Sequence, residues 1–367
     1  MKSSVLQLKF IKTTLIWAFL LGVVFASCGK KKDSTPPVVA DKAALNAAIT
    51  AAQALNDNTL EGTKPGQYEV GNKAALTTAL NASKTVTADA SATQATVNNT
   101  TAQLLAAIAA YQGHLIKEIA AVNLIGYWKM NGNANDSSGN GNDGVLTAGH
   151  AYFGAGMPAL VADRFGRAGM AYHFDMGGNI DVPYKASLNP QAMSISVWAK
   201  WSSTGRTLNA DTYTMVAMNR WNGYKFQLQG THLPFYTVKV EKGTAVGDTL
   251  IHDRDTGDGF SVTENTWRNL VVTFTADTES FYIDGDLVKT WDAASARPVP
   301  GNGLTLANPI DFVIGQDLPT DKYLTVDGDF QVAWGGFWTG DLDDVMFYNI
   351  ALEGPQVKSI FTNQSTL

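Results

Sequence analysis

The sequence predicts two units of different class: a small three-helix bundle, followed by an all-β jelly-roll sandwich. Three observations carry this prediction. Residues 41–120 are rich in Ala, Asn and Thr, almost free of aromatics, and place apolar residues at helical spacing, the mark of amphipathic helices. From Val122 onward the period falls to two, in short runs separated by Gly and Asn, as strands and turns require. No helical period interrupts those runs, which indicates a sandwich or jelly roll.

Ahead of both units, residues 1–27 read as a targeting segment. Lys2, Lys9 and Lys12 precede the apolar run "TTLIWAFLLGVVFAS", which is too short for a stable membrane anchor. The run ends at Cys28, the only cysteine of the 367-residue chain. "FASC" resembles the lipobox of bacterial lipoproteins, with Phe25 where Leu is usual. The resemblance implies cleavage before Cys28 and lipidation of its sulfur. Residues 28–40, with "GKKKDSTPPVV" after Cys28, form a charged, proline-bearing tether, so the mature chain is expected to hang from acyl chains. With its single cysteine assigned to lipid, the chain has none for disulfides, and stability must come from a core or a metal. The formal net charge is −6, with Lys and Arg scattered beyond the tether, so nucleic acid is not an expected partner.

In the helical unit, "DKAALNAAITAAQAL" puts Leu45, Ala48, Ile49, Ala52 and Leu55 on one stripe. "NKAALTTALNASKTV" repeats it, with Ala74-Ala75-Leu76 aligned on Ala43-Ala44-Leu45. "GTKPGQY" between them breaks any continuous helix. "SATQ" then opens a third helix, in which Ser91 caps and Gln94 reaches back to it. Leu104, Leu105, Ile108 and Tyr111 form its stripe. These segments together resemble the FIVAR-type bacterial helical module over roughly 41–116. The resemblance implies a spacer or an accessory sugar-contacting unit.

In the second unit, "SISVWAKW" (194–201) alternates Ile195, Val197, Ala199 and Trp201 against Ser194, Ser196, Trp198 and Lys200. "NLVVTF" does the same with Leu270, Val272 and Phe274. "FYIDGDLV" reads as a hairpin, with Asp284-Gly285 supplying the positive φ angles of a tight turn. "DFVIGQ" and "DVMFYN" complete the strands. In order along the chain, "YWKMNGNANDSSGNGNDGV", "AYHFDMGGNIDVP", "SISVWAKW", "TWRNLVVTF", "FYIDGDLV" and "GDLDDVMFYNIALEGPQVKSIF" resemble the LamG-like, concanavalin A-like jelly-roll family over about 122–362.

That resemblance makes Tyr127 and Trp128 part of the first strand and the Asn/Asp/Gly/Ser run after them a turn. Asp and Asn bond their own backbone there, and Gly supplies left-handed conformations. The turn's oxygens are also suited to a hard cation. Relatives of the fold carry structural Ca²⁺ at the sandwich edge, and the resemblance nominates Asp344, then Asp136 and Asp175, as its ligands. Asp343 and Asp344 are consecutive and on a regular strand would face opposite sides. "DRDTGDGFSVTE" (253–264) has acidic residues at positions 1, 3 and 12 of an EF-hand-like loop, but Gly257 and Asp258 occupy positions 5 and 6. It reads as a solvated loop.

The fold also hosts glucanases, which need two carboxylates flanking the scissile bond. The related enzymes take theirs from a Glu-x-Asp-x-x-Glu strand, and no such string occurs here. A Gly-x-Ser-x-Gly elbow and paired metal-ligand His are also missing, so no catalytic residue is assigned. Aromatics point instead to binding, since their faces stack on sugar C–H faces. Trp198 and Trp267 fall in strand motifs and read as packing. Candidate ligand platforms lie in Gly-rich surroundings: Trp221 and Tyr224 in "NRWNGYKFQ", Trp334 and Trp338 in "VAWGGFWTG". Hairpin or core packing remains the other reading of each pair. The expected function is glycan or polysaccharide binding by an outer-membrane lipoprotein, on the surface or the periplasmic face. The alternatives are an adhesion module for envelope proteins and a hydrolase.

Overall fold

The computed structural model describes residues 39–206, 212–241, 249–292, 294, 309–325 and 330–366. The targeting segment, Cys28 and nearly all of the tether lie outside them.

Three helices come first: α1 (Ala43–Asn58), α2 (Lys73–Ala88) and α3 (Gln94–Gln112). Their stripes meet, with Ala48, Ala52, Leu76, Leu80, Leu104, Ile108 and Tyr111 in one buried cluster. Leu55 and Ile49 border it, and Leu45 is buried beside Val97. Two local expectations fail. Leu105 is 52% exposed, because one residue past Leu104 turns the side chain about 100° around the helix. Ser91 does not cap α3; its hydroxyl donates to Asp89 Oδ1 (2.6 Å). Thr93 caps instead, accepting from the Thr96 N–H at 3.2 Å, and Gln94 Oε1 accepts from the Asp41 N–H (2.8 Å). The helix starts later than the capping-box spacing suggested.

Among the described residues fifteen strands follow: β1 (Leu124–Trp128), β2 (Val145–Thr147), β3 (Ala159–Val161), β4 (Ala171–Phe174), β5 (Asn179–Val182), β6 (Met193–Trp201), β7 (Tyr213–Met218) and β8 (Tyr224–Gln229). Then come β9 (Leu233–Glu241), β10 (Thr249–Asp255), β11 (Arg268–Phe274), β12 (Glu279–Ile283), β13 (Asp286–Trp291), β14 (Phe312–Ile314) and β15 (Gly340–Tyr348). One sheet runs β13-β12-β11-β6-β15-β4-β3, with β1 paired to β15; the other runs β10-β9-β8-β7-β14-β5-β2. Paired strands are antiparallel throughout. The architecture is thus a three-helix unit and a two-sheet sandwich.

Period two decides which side chains fill the sandwich. Ile195, Val197, Ala199 and Trp201 of β6 share the core with Leu270, Val272 and Phe274 of β11. Asp284 (φ 54°) and Gly285 (φ 77°) make the β12–β13 turn, the left-handed pair expected there. A fourth helix, α4 (Gly354–Gln364), is not among the elements read from the sequence. Glu353 and Gln356 form its capping box, with Pro in the first turn. It covers the outer face of the first sheet, burying Val357 with Val271, Tyr282 and Tyr348. That cover explains why both faces of β6 are buried.

Candidate functional site

The β7–β8 connection and the short turn Val332–Trp334 together build a paired aromatic feature of the sandwich. Asn219 (φ 63°) and Arg220 (φ 49°) take left-handed conformations in succession, turning the chain so that Arg220 points inward and Trp221 outward. Arg220 is fully buried, and its Nε donates to Asp317 Oδ2 at 2.8 Å. Asp317 Oδ1 also accepts from the Tyr323 hydroxyl. Arg220 Nη1 donates to the Gln331 carbonyl at 3.2 Å, which fixes the short turn Val332–Trp334 against the β7–β8 connection. Trp221 and Trp334 thereby meet edge to face, with centroids 5.7 Å apart and planes at 61°. Trp221 is half-buried, and Trp334 is 52% exposed. Two of the four aromatics singled out from sequence therefore form one surface.

The other two do not join them. Tyr224 is wholly buried, and its hydroxyl donates to the Leu188 carbonyl (2.7 Å). Once β8 begins, alternation sends Tyr224, Phe226 and Leu228 into the core and Lys225 and Gln227 to the outer face. Trp338 is likewise wholly buried in the core, edge-on to Tyr213. Both fall to the packing alternative. Trp198, read as packing, lies under α4, where its ring stacks on Phe361 at 5.7 Å and its Nε1 donates to Gln364 Oε1 (2.8 Å).

The three carboxylates proposed for Ca²⁺ do not assemble into a site. Asp136 organises the long turn after β1, accepting from the N–H groups of Tyr127, Ser138 and Asn142 and from the Ser138 hydroxyl at 2.8–3.0 Å. Those bonds hold its pKa below the usual carboxylate value despite burial, which pushes it the other way. Asp344 sits at φ 44° in an interruption of the β15–β6 register. That kink brings Asp343 and Asp344 to the same guanidinium rather than to opposite faces. Arg164 donates to Asp343 Oδ2 (2.5 Å), Asp344 Oδ2 (2.8 Å) and the Gln364 carbonyl (2.9 Å). Tyr127 donates to Asp344 Oδ1 at 2.7 Å. Burial, then the neighbouring Asp344 charge, pushes the Asp343 carboxyl up to about 7. Asp175 lies elsewhere, near Gly156. Among the described residues no group of three His, Cys, Asp or Glu could hold a metal. Arg164, Tyr127, Ser138 and backbone donors bond the Asp136, Asp343 and Asp344 oxygens.

The stretch 253–264, read as a solvated loop, begins as the end of β10, with Asp253–Asp255 paired to β9, and its carboxylates are committed to local bonds. Asp253 accepts from the Thr237 hydroxyl, Asp255 from the Gly257 N–H, and Glu264 from Ser203. Sequence reasoning missed three charged residues. Arg220 positions the two tryptophans. Asp181 on β5 is pushed up to about 6 by burial and by Asp311. Glu279 of β12 is wholly buried, and both its oxygens lack partners.

Among curated proteins, a gellan lyase from Bacillus sp. is 43% identical over 81 residues, covering 22% of this chain and 3% of the lyase. Among solved structures, domain 4 of an extracellular arabinanase from Geobacillus stearothermophilus, in complex with arabinotriose, aligns at 16% identity and TM-score 0.44. The alignment covers 65% of this chain and 98% of that one. The binding domain of Paraclostridial mosquitocidal protein 1 aligns at 17% identity and TM-score 0.43, over 67% of this chain and 53% of its own. The chain thus spans a small fraction of the lyase and about half of the toxin chain. The family model that describes the sandwich matches residues 174–358, half of the 367-residue chain. By that match and by its two-sheet architecture, the chain belongs to the concanavalin A-like lectin/glucanases superfamily.

Proposed function

We propose that the protein binds glycan non-catalytically at the cell envelope, held by lipid on Cys28. Its division is a signal segment (1–27), a tether (28–40), a FIVAR-like helical spacer (41–120) and a lectin-type sandwich (122–367). One observation supports the binding role above the rest: the edge-to-face pair of Trp221 and exposed Trp334 beside the outer polar face of β8. An aromatic surface next to hydrogen-bonding side chains is what a sugar ring needs, with one face apolar and the hydroxyl edges polar. A hydrolase would need a carboxylate pair flanking the sugar. Asp343 and Asp344 are both bonded by Arg164 beneath α4, and Asp181 lies two strands from β7.

The test is a glycan-array and polysaccharide pull-down screen of the full chain, with and without chelator. Binding that drops at least tenfold in Trp221→Ala and Trp334→Ala, with melting unchanged, is the expected result. Binding unaffected by either substitution would overturn the placement of the site. The anchor is tested separately by acyl-chain labelling, which Cys28→Ala should abolish, and by recovery in the outer-membrane fraction.

A second reading, docking to an envelope protein, draws support from the flank formed by β2, β3 and their connection, whose Phe153 packs against Tyr323 and Phe337. The edge strands β2 and β3 and the loop joining them expose Val145 (60%), Tyr152 (59%), Met157 (53%) and Leu160 (46%). An apolar strip at a sheet edge is the surface a protein partner favours. Silence across the glycan panel from folded protein would shift the function to this flank.

A further inference from the structure

Lys225 is the charged group that the aromatic surface leaves unexplained. It follows core Tyr224 on β8, faces outward beside Trp221, and is only 5% exposed. Among the described residues its ammonium has no hydrogen-bond or ion-pair partner; its one recorded contact is the Trp221 ring, 5.3 Å from Nζ to centroid. A buried ammonium is ordinarily paired, because leaving water without a partner is unfavourable. A cation–π contact at this distance returns only part of that loss. Burial accordingly pulls the pKa of Lys225 down, with Asp317 and Asp253 opposing and Arg220 adding to the shift. Those two carboxylates have other partners: Asp317 holds Arg220 and Tyr323, and Asp253 accepts from Thr237.

The surroundings of Lys225 are polar and carry charges of both signs. Across the ladder it faces Ala217 on β7 and Thr237 on β9. Gln227, next outward on the same strand, donates to Gln229 Oε1 at 2.6 Å. Lys239 Nζ donates to Asn222 Oδ1 at 3.0 Å, alongside Trp221. Lys225 thus lies at the indole and Lys239 on the neighbouring strand bonds Asn222, the residue after Trp221, and neither forms an ion pair with a described carboxylate.

Building on the glycan-binding reading, we propose that this site selects acidic saccharides: the ring lies on Trp221 and Trp334, and its carboxylate or sulfate ester is taken by Lys225 with Lys239. An anion delivered to an ammonium that has no carboxylate or carbonyl partner forms a charge-assisted bond, stronger than the neutral bonds a hydroxyl would make. The same group that is costly in the empty site therefore sets the preference in the filled one.

The experiment is calorimetric titration of the full chain with three probes: oligogalacturonides, the same oligosaccharides with carboxyl groups reduced to alcohols, and sulfated chondroitin oligosaccharides. Wild type should bind at least one acidic probe tenfold or more tighter than the reduced one, and the better of the two identifies the anion. Lys225→Met should bring acidic and neutral probes to similar affinity, whereas Trp221→Ala should weaken all of them. Should Lys225→Met fail to fold, raising salt from 50 to 500 mM on wild type replaces it, and only the acidic probes should weaken. Equal or better binding of the reduced probe, or acidic binding unchanged by Lys225→Met, overturns charge selection while leaving glycan binding intact. Failure of all three probes to bind overturns charge selection, and a blank wider panel would then sink the glycan reading too.

Discussion

Arg164 and Arg220 are the same device used twice, with opposite results at the surface. Each is a buried guanidinium held by carboxylate and lying against an indole: Arg164 is 4.4 Å from the Trp198 ring, and Arg220 is 5.1 Å from Trp221. Around Arg164 everything is closed. Two carboxylates, Tyr127 and the end of α4 converge there, and Trp198 is 6% exposed. Around Arg220 the described ion pair is with Asp317, α4 does not reach it, and the paired tryptophans reach solvent. The comparison teaches that an Arg–Asp–Trp group identifies a site only when its cover is known. In this fold α4 supplies that cover at one group and not at the other.

Removing each guanidinium should break the comparison most sharply. Taking one member from a buried ion pair strands the other charge, at about 3–5 kcal/mol. Arg164→Met strands two carboxylates and should lie at the upper end, with glycan binding per folded molecule unchanged. Arg220→Met strands only Asp317, which keeps the Tyr323 hydrogen bond, and should lie at the lower end. It should also abolish glycan binding, because the Gln331 carbonyl loses its anchor and Trp334 drifts from Trp221. Denaturant titration and pull-down on both variants check this; equal binding losses would mean that the two groups are not functionally distinct.

Glu279 sharpens the contrast from the other side, as a buried carboxyl with no guanidinium bonded to it. Burial raises its pKa well above the ordinary 4.5, with Arg254 only partly opposing. A raised folded-state pKa contributes stability that is complete below the unfolded value and is lost as pH climbs toward the folded one. Relative to Glu279→Gln, wild type should lose about 1.4 kcal/mol per pH unit above the ordinary carboxylate range. Melting curves of both proteins from pH 5 to 8 measure the difference. Parallel profiles would show that Glu279 is ionised and paired in solution.

What could be read from sequence divides along the same line. Strand identity was legible wherever alternation ran uninterrupted, as in β6 and β11, and the β12–β13 turn was legible because Asp-Gly admits few other conformations. Side-chain orientation was lost wherever the ladder breaks. Asp343 and Asp344 converge through a positive φ at Asp344 that no local pattern announces. The outward turn of Trp221 rests on two left-handed residues, Asn219 and Arg220, of which only the Asn is a familiar signal. Gly-rich surroundings favoured Trp334 and Trp338 alike, although only Trp334 stays outside. The α4 signal was present in "EGPQ", where Glu and Gln stand at capping-box spacing around a first-turn Pro. Its apolar stripe is too short to stand out from the strands before it.

Tyr224 provides a smaller test of packing against platform. Tyr224→Phe keeps the ring and deletes only the bond to the Leu188 carbonyl, at a cost of about 1–1.5 kcal/mol. Glycan affinity should stay within twofold of wild type. A tenfold loss of affinity in this variant would return Tyr224 to the ligand surface.

The smallest expected stability effect belongs to Trp334, and it carries the most information. An indole half in solvent, with one aromatic neighbour, contributes little to folding, so Trp334→Ala should change unfolding free energy by about 0.5 kcal/mol or less. A buried indole such as Trp338 would cost about 3–5 kcal/mol on the same substitution. Both lie in "VAWGGFWTG", four residues apart in the chain, so local sequence is nearly constant and burial is the variable. If Trp334→Ala matched Trp338→Ala in stability loss, Trp334 would be a packing residue and the surface next to Trp221 would not exist in solution. If it leaves stability intact while removing glycan, the exposed ring is retained for something outside the molecule.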